Sequence, residues 1–113
     1  MAVVEKETVG RALVVKLSGE LDLVTSDSVK EAIDPVLEGS SRITDLVIDL
    51  TQVRFIDSSG LGMLLGRYKK VSDRGGKVIV FGLQPAVERV LAMAGITKIV
   101  EVAASRDAAL AHY

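Results

Sequence analysis

Short apolar runs alternate along the chain with stretches whose apolar residues recur at helical spacing, and this alternation restricts it to an α/β fold. Val3 to Thr8 and Ala12 to Leu17 predict two strands joined by a turn at Val9-Gly10-Arg11. Ser18-Gly19-Glu20-Leu21-Asp22 breaks the pattern and predicts a loop. From Thr25 the period changes: Val29, Ala32, Ile33, Val36 and Leu37 share one helix face, with Thr25 or Ser26 placed to cap it. Pro35 is expected to kink the second half of that helix, because an interior proline loses a backbone hydrogen bond. Leu46 to Leu50 predicts a buried strand. Leu61, Leu64, Leu65, Tyr68 and Val71 outline a second helix, stopped at Gly75-Gly76. Lys77 to Phe81 predicts the next strand, and Pro85 opens a helix carried by Val87, Val90, Leu91 and Ala94 to Gly95. Ile99 to Val102 predicts an edge strand, and Ser105 caps a last helix through Ala108, Ala109 and Leu110. The order β-β-α-β-α-β-α-β-α predicts a mixed sheet, parallel through its crossovers and antiparallel at the opening pair.

A single domain over residues 1–113 accounts for the length, and a hydrophobic fraction of 49% is ample for its core. Lys and Arg number 14 against 15 Asp and Glu, so the chain lacks the basic excess that nucleic-acid phosphates require. With no cysteine there is neither a disulfide framework nor a thiolate nucleophile or metal site. Met1 to Glu7 carries charge where a signal peptide needs an apolar stretch, and no run approaches the roughly 18 apolar residues of a membrane span. A soluble, cytoplasmic protein is expected, with no membrane partner.

Phe55-Ile56-Asp57-Ser58-Ser59-Gly60-Leu61-Gly62 lies between a buried strand and a helix start, where α/β proteins commonly place function. Asp57 is placed to cap the helix through the N–H of Ser59 or Gly60, which puts Ser58 at the first helical position beside the positive dipole end. Capping alone would explain Asp-Ser-Ser-Gly. The glycines at 60, 62 and 66 need a further reason, since each costs roughly 0.5–1 kcal/mol relative to alanine inside a helix. Close packing on the sheet is one reason and a flat docking face is another; the spacing does not separate them.

Enzyme motifs are absent. Gly60 to Gly66 is one residue too long for G-x-G-x-x-G, no P-loop occurs, and neither Ser58 nor Ser59 sits in G-x-S-x-G. The single histidine, His112, adjoins the C-terminus, so neither a triad nor a zinc site can be assembled. Asp22, Asp45, Asp49 and Asp57 could supply an acidic pair, although each also fits a loop, strand-end or cap role. Arg67, Lys69 and Lys70 form a short basic run, either a solvated face or a contact for an acidic partner.

Asp57-Ser58-Ser59-Gly60-Leu61-Gly62, with Phe55-Ile56 before it and Leu65-Gly66-Arg67-Tyr68-Lys69 after it, resembles the signature of bacterial anti-sigma factor antagonists, and of the sporulation type in particular. These are STAS-domain proteins. Leu17-Ser18-Gly19-Glu20-Leu21-Asp22, Val47-Ile48-Asp49-Leu50, Gly75-Gly76 and Pro85-Ala86-Val87 through Met93-Ala94-Gly95 extend the resemblance over essentially the whole chain. It implies the STAS fold, a mixed sheet of four to five strands packed with about four helices. It also implies a non-enzymatic partner switch without a cofactor. The unphosphorylated antagonist binds an anti-sigma factor that is a serine kinase with bound nucleotide, releasing the sigma factor. Phosphorylation at Ser58 blocks that binding, and a serine/threonine phosphatase restores it. The implied partner-binding residues are Asp57, Ser58, Ser59, Gly60, Leu61 and Gly62, with Glu20, Leu21 and Asp22 from the preceding loop. The competing readings are a structural STAS module, such as a stressosome subunit or a piece of a sensor or anion transporter, and a small nucleotide- or lipid-binding domain. The absence of a membrane segment counts against the transporter version.

Overall fold

The structure, a computed structural model, describes residues 3–113. Strand β1 (Val3–Val9) turns at Gly10, whose φ of 57° suits glycine, into β2 (Ala12–Leu21), and the two pair antiparallel. Helix α1 (Leu23–Gly39), strand β3 (Asp45–Ile56), helix α2 (Ser58–Asp73), strand β4 (Val78–Phe81), helix α3 (Pro85–Met93), strand β5 (Glu101–Ala103) and helix α4 (Arg106–Leu110) follow in that order. The sheet runs β1-β2-β3-β4-β5, and every pair after the first is parallel. Because each right-handed crossover steps the same way across the sheet, α1, α2 and α3 all lie on one face. Their Val29, Ile33, Leu37, Met63, Leu64, Val71, Val87 and Leu91 form a single core with Leu13, Val15, Leu17, Leu46, Ile48 and Val80 of the strands. On the other face Ala12, Val14, Val47, Ile79 and Phe81 are covered by Ala109 of α4, with Leu110 and Tyr113 packed alongside. No helix among the described residues is long and apolar enough to cross a membrane.

Three local expectations are corrected. Residues 18–21 are strand, not loop: β3 runs on to Ile56 and offers a parallel partner, so Ser18 pairs with Gln52 and Leu21 with Ile56. The polar Ser-Gly-Glu that broke the apolar pattern marks register shifts there, with Gly19 at φ 100°. Helix α1 is capped by Asp22, not by Thr25 or Ser26. The Asp22 carboxylate accepts from the Thr25 N–H at 3.0 Å, and Thr25 Oγ1 accepts from the Asp22 N–H at 3.0 Å, a reciprocal capping box. Leu23 and Val24 therefore open the helix, off its buried face, where apolar spacing could not reveal them. The helix is kept through Pro35 to Gly39. Pro35 and Glu31, the residue whose carbonyl loses its helical donor, both lie on the exposed side. At the far edge a short 3₁₀ turn at Ile96–Lys98 absorbs Ile99, so the strand starts at Glu101 and not at Ile99.

Helices α1 and α2 are joined by charge as well as by core. Arg67 is 5% exposed, with its Nε 2.9 Å from Asp34, and Lys70 reaches Asp34 at 3.6 Å and Glu38 at 3.1 Å. The basic run is thus neither a wholly solvated face nor a contact for an acidic partner at Arg67 and Lys70; both face α1. Past the end of α2, Arg74 donates to the carbonyls of Leu37, Ser40 and Ile43 and holds the turn that follows α1.

Candidate functional site

Strands β2 and β3 end side by side, and the chain leaves each directly into a helix. The Asp57 N–H donates to the Leu21 carbonyl at 3.1 Å, tying the two exits together. Asp57 caps α2 as expected: its Oδ1 accepts from the N–H groups of Ser59 at 2.8 Å and Gly60 at 3.1 Å. Ser58 is the first residue of α2 and is exposed. Ser59 and Asp57 are half-buried, and Leu61 rests against the core. The first turns of α1 and α2 contain no acidic residue beyond their caps.

The three glycines divide between the two explanations left open by their spacing. Gly60 is buried; a Cβ there would lie 2.4 Å from the Leu21 carbonyl oxygen, so it serves close packing. Gly62 and Gly66 have open space where a side chain would project, so they leave the outer face of α2 bare beside Ser58. Helical spacing puts Gly62 and Gly66 about 40° apart and Gly60 on the opposite side, but only the fold shows which side is packed and which is open.

The Glu20–Asp22 segment is brought to the same end of the sheet, with different roles for its members. Glu20 is half-buried and pairs with Arg54 at 3.3 Å. Leu21 is fully buried, so its side chain cannot touch a partner, which corrects its inclusion as a contact. Asp22 is half-buried, and the hydrogen bond from the Thr25 N–H holds its carboxyl below the ordinary value near 3.8. Four exposed apolar side chains escaped sequence reasoning: Leu23 at 74%, Val24 at 83%, Phe55 at 51% and Leu65 at 39%. Leu65, one of the apolar residues whose spacing outlines α2, projects outward.

The carboxylates do not gather into an acid–base pair. Asp22 and Asp57 are caps, whereas Asp45 and Asp49 hold the backbone and hydroxyl groups of their own neighbourhoods. Asp45 accepts from Lys77 N at 3.1 Å and from the Tyr113 hydroxyl, and Asp49 accepts from Thr51 N at 2.9 Å and Thr51 Oγ1 at 2.6 Å. His112 is exposed.

The profile of the STAS domain family matches residues 3–109. Over 99 residues, 88% of this chain and 84% of the relative, the sequence is 40% identical to the anti-sigma F factor antagonist of Paenibacillus polymyxa. The fold is similar to an anti-sigma factor antagonist from Mycobacterium paratuberculosis, with a TM-score of 0.86 and 32% identity over 98% of this chain and 92% of that one. It is also similar to the antagonist SpoIIAA in its unphosphorylated form, at TM-score 0.81 and 26% identity over 94% and 92% of the two chains. For the phosphorylated form of SpoIIAA from Bacillus the values are 0.74 and 25%, over 94% and 96%. These relatives are regulatory proteins and not enzymes. The match over residues 3–109, the 40% identity and the shared fold, a mixed five-stranded sheet with four helices, place the chain with them: it belongs to the STAS domain family, in the group of bacterial anti-sigma factor antagonists.

Proposed function

We propose that this chain, a single STAS domain over residues 1–113, is an anti-sigma factor antagonist of the sporulation type that works in the cytoplasm and is switched at Ser58. Unphosphorylated, it binds an anti-sigma factor that is also a nucleotide-bound serine kinase, and the sigma factor is released. Phosphorylated on Ser58 it no longer binds, and a serine/threonine phosphatase resets it. The contact residues are Asp57, Ser58, Ser59, Leu61 and Gly62, with Glu20 and Asp22 beside them. Gly60 and Leu21 shape the surface from beneath.

The observation that carries this reading is the exposed hydroxyl at the first position of α2, next to a helix face left bare at Gly62 and Gly66. A partner can approach that backbone closely, so any group added to Ser58 lies in its path. Phosphate adds about -1.5 to -2 charges at neutral pH. The helix dipole favours a negative charge at this end. However, the Ser59 and Gly60 N–H groups already donate to the Asp57 carboxylate, so the phosphate must share or displace that cap. The new charge therefore stays at the surface, beside the Asp57 carboxylate, and its effect falls on the partner. Losing about 3 kcal/mol of binding lowers affinity more than a hundredfold. The existence of solved unphosphorylated and phosphorylated forms of SpoIIAA, both similar to this chain, is consistent with such a switch.

The test is intact-mass measurement after incubation with the anti-sigma kinase encoded in the same genome and ATP. One added phosphate is expected on the parent and none on Ser58→Ala. Equal modification of both chains would move the site elsewhere. In binding assays Ser58→Ala should retain the kinase and Ser58→Asp should weaken it; equal affinity in all forms would reject the electrostatic mechanism.

A further inference from the structure

Leu23 and Val24 occupy the first two positions of α1 and are 74% and 83% exposed. That placement runs against local preference. The first turn of a helix favours acidic or small polar residues, because the positive dipole end and the unpaired N–H groups face solvent there. Two neighbouring aliphatic side chains in that position gain nothing from the fold, since neither belongs to the core. They are not isolated. The Leu21 carbonyl accepts the Asp57 N–H and lies against Gly60, which fixes the start of α1 next to the start of α2. Phe55, 51% exposed, stands on β3 across from Glu20, and Leu65, 39% exposed, lies on α2 beyond Gly62. Leu23 and Val24 thus share the end of the sheet where α2 begins at Ser58, together with the carboxylates of Asp22 and Asp57. Arg54 is already drawn to Glu20 at 3.3 Å.

We propose that Leu23 and Val24 are the apolar anchor of the partner interface and set its specificity. Their occupant is a protein surface that offers an apolar hollow rimmed by basic side chains. The inference rests on the switch reading and deepens it: Ser58 decides whether the partner binds, and Leu23-Val24 decides which partner fits. The charge pattern selects this occupant. A second copy of this chain would set Asp22 and Asp57 against their own kind, whereas a basic rim meets them with opposite charge; Glu20 is already answered by Arg54. Apolar side chains at the centre of a contact, ringed by polar ones, are the arrangement in which a few residues dominate affinity.

The test compares Leu23→Ser, Val24→Ser and the pair with a control, Met93→Ser. Met93 is 82% exposed and lies at the end of α3, on the pole opposite Ser58. Serine is well tolerated at a helix start, so thermal midpoints should stay within about 3 °C of the parent. Affinity for the anti-sigma kinase of the same genome should fall about ten- to a hundredfold for each single variant and further for the pair. Met93→Ser should bind as the parent does. Parent-like binding by the paired variant, with Ser58→Asp still weakened, would overturn the anchor and leave the switch standing. A parent that does not bind the kinase would overturn both. Sedimentation of the parent alone should give a monomer at this patch; a dimer abolished by the paired variant would assign the surface to self-association and overturn the proposal.

Discussion

Replacing the glycines of α2 by alanine, one at a time, should move stability in opposite directions within a single helix. At Gly62 and Gly66 a new methyl meets open space, so the only effect is on helix propensity, a gain of about 0.5–1 kcal/mol each. At Gly60 the same gain is offset by collision. The added Cβ would lie 2.4 Å from the Leu21 carbonyl oxygen, 2.8 Å from Ile56 Cγ1 and 2.9 Å from Leu21 Cβ. The closest of these is backbone, held by its hydrogen bond from Asp57, and cannot rotate away. Overpacking of this kind costs about 1–3 kcal/mol, so the expected net change is a loss of about 1–2 kcal/mol. At about 4 °C per kcal/mol for a domain of this size, thermal midpoints should rise by roughly 2–4 °C for Gly62→Ala and Gly66→Ala and fall by about 4–8 °C for Gly60→Ala. Calorimetry together with urea unfolding at constant m-value is the appropriate assay. A Gly60→Ala protein as stable as the parent, or a Gly62→Ala protein less stable, would refute the assignment of the two faces. Gly62→Ala should also weaken partner binding while it strengthens the fold, because its methyl stands on the proposed docking face.

The buried ion pair between α1 and α2 predicts an asymmetry: Asp34→Ala strands Arg67 in the core and should cost about 3 kcal/mol or more, whereas Arg67→Met leaves Asp34 facing Lys70 and should cost distinctly less, both measured by urea unfolding. For Asp22, a carboxyl held below 3.8 favours the folded state only while it is ionised, so its contribution is complete above that value and is lost as pH falls through the lowered folded value; the carboxyl carbon resonance should titrate with a midpoint below 3.8, and Asp22→Asn should remove this part of the acid sensitivity.

The fold was legible because its strands are short apolar runs and its long helices bury one periodic face. Val29, Ile33 and Leu37 of α1 and Val87 and Leu91 of α3 lie in the core at the positions their spacing predicted. The ends of elements were less legible, for a physical reason. Residues 18–21 become strand only because β3 extends past Leu50 to pair with them, and that depends on a partner 34 residues away at Ser18–Gln52 rather than on local pattern. The helix start at Ser58 was readable, since capping by Asp57 is a local interaction over two or three residues. What surrounds Ser58 was not. Arg67 reads as a surface charge until α1 supplies Asp34, and Leu21 reads as exposed loop until the end of β2 is placed under α2. Leu23 and Val24 belong to no periodic pattern, and only their exposure in the folded chain reveals them.

The contact between Gly60 and the Leu21 carbonyl has a bearing on how such domains diversify. Two short segments, residues 20–24 and 55–62, make up the proposed working end of the molecule, while the rest of the sheet and its helices serve as a mount. Because one segment has no room for a side chain where it crosses the other, they form a matched pair. Recombination that imports one without the other risks a steric fault at this crossing, whereas transplanting both keeps the joint intact and carries a new recognition code onto an unchanged frame.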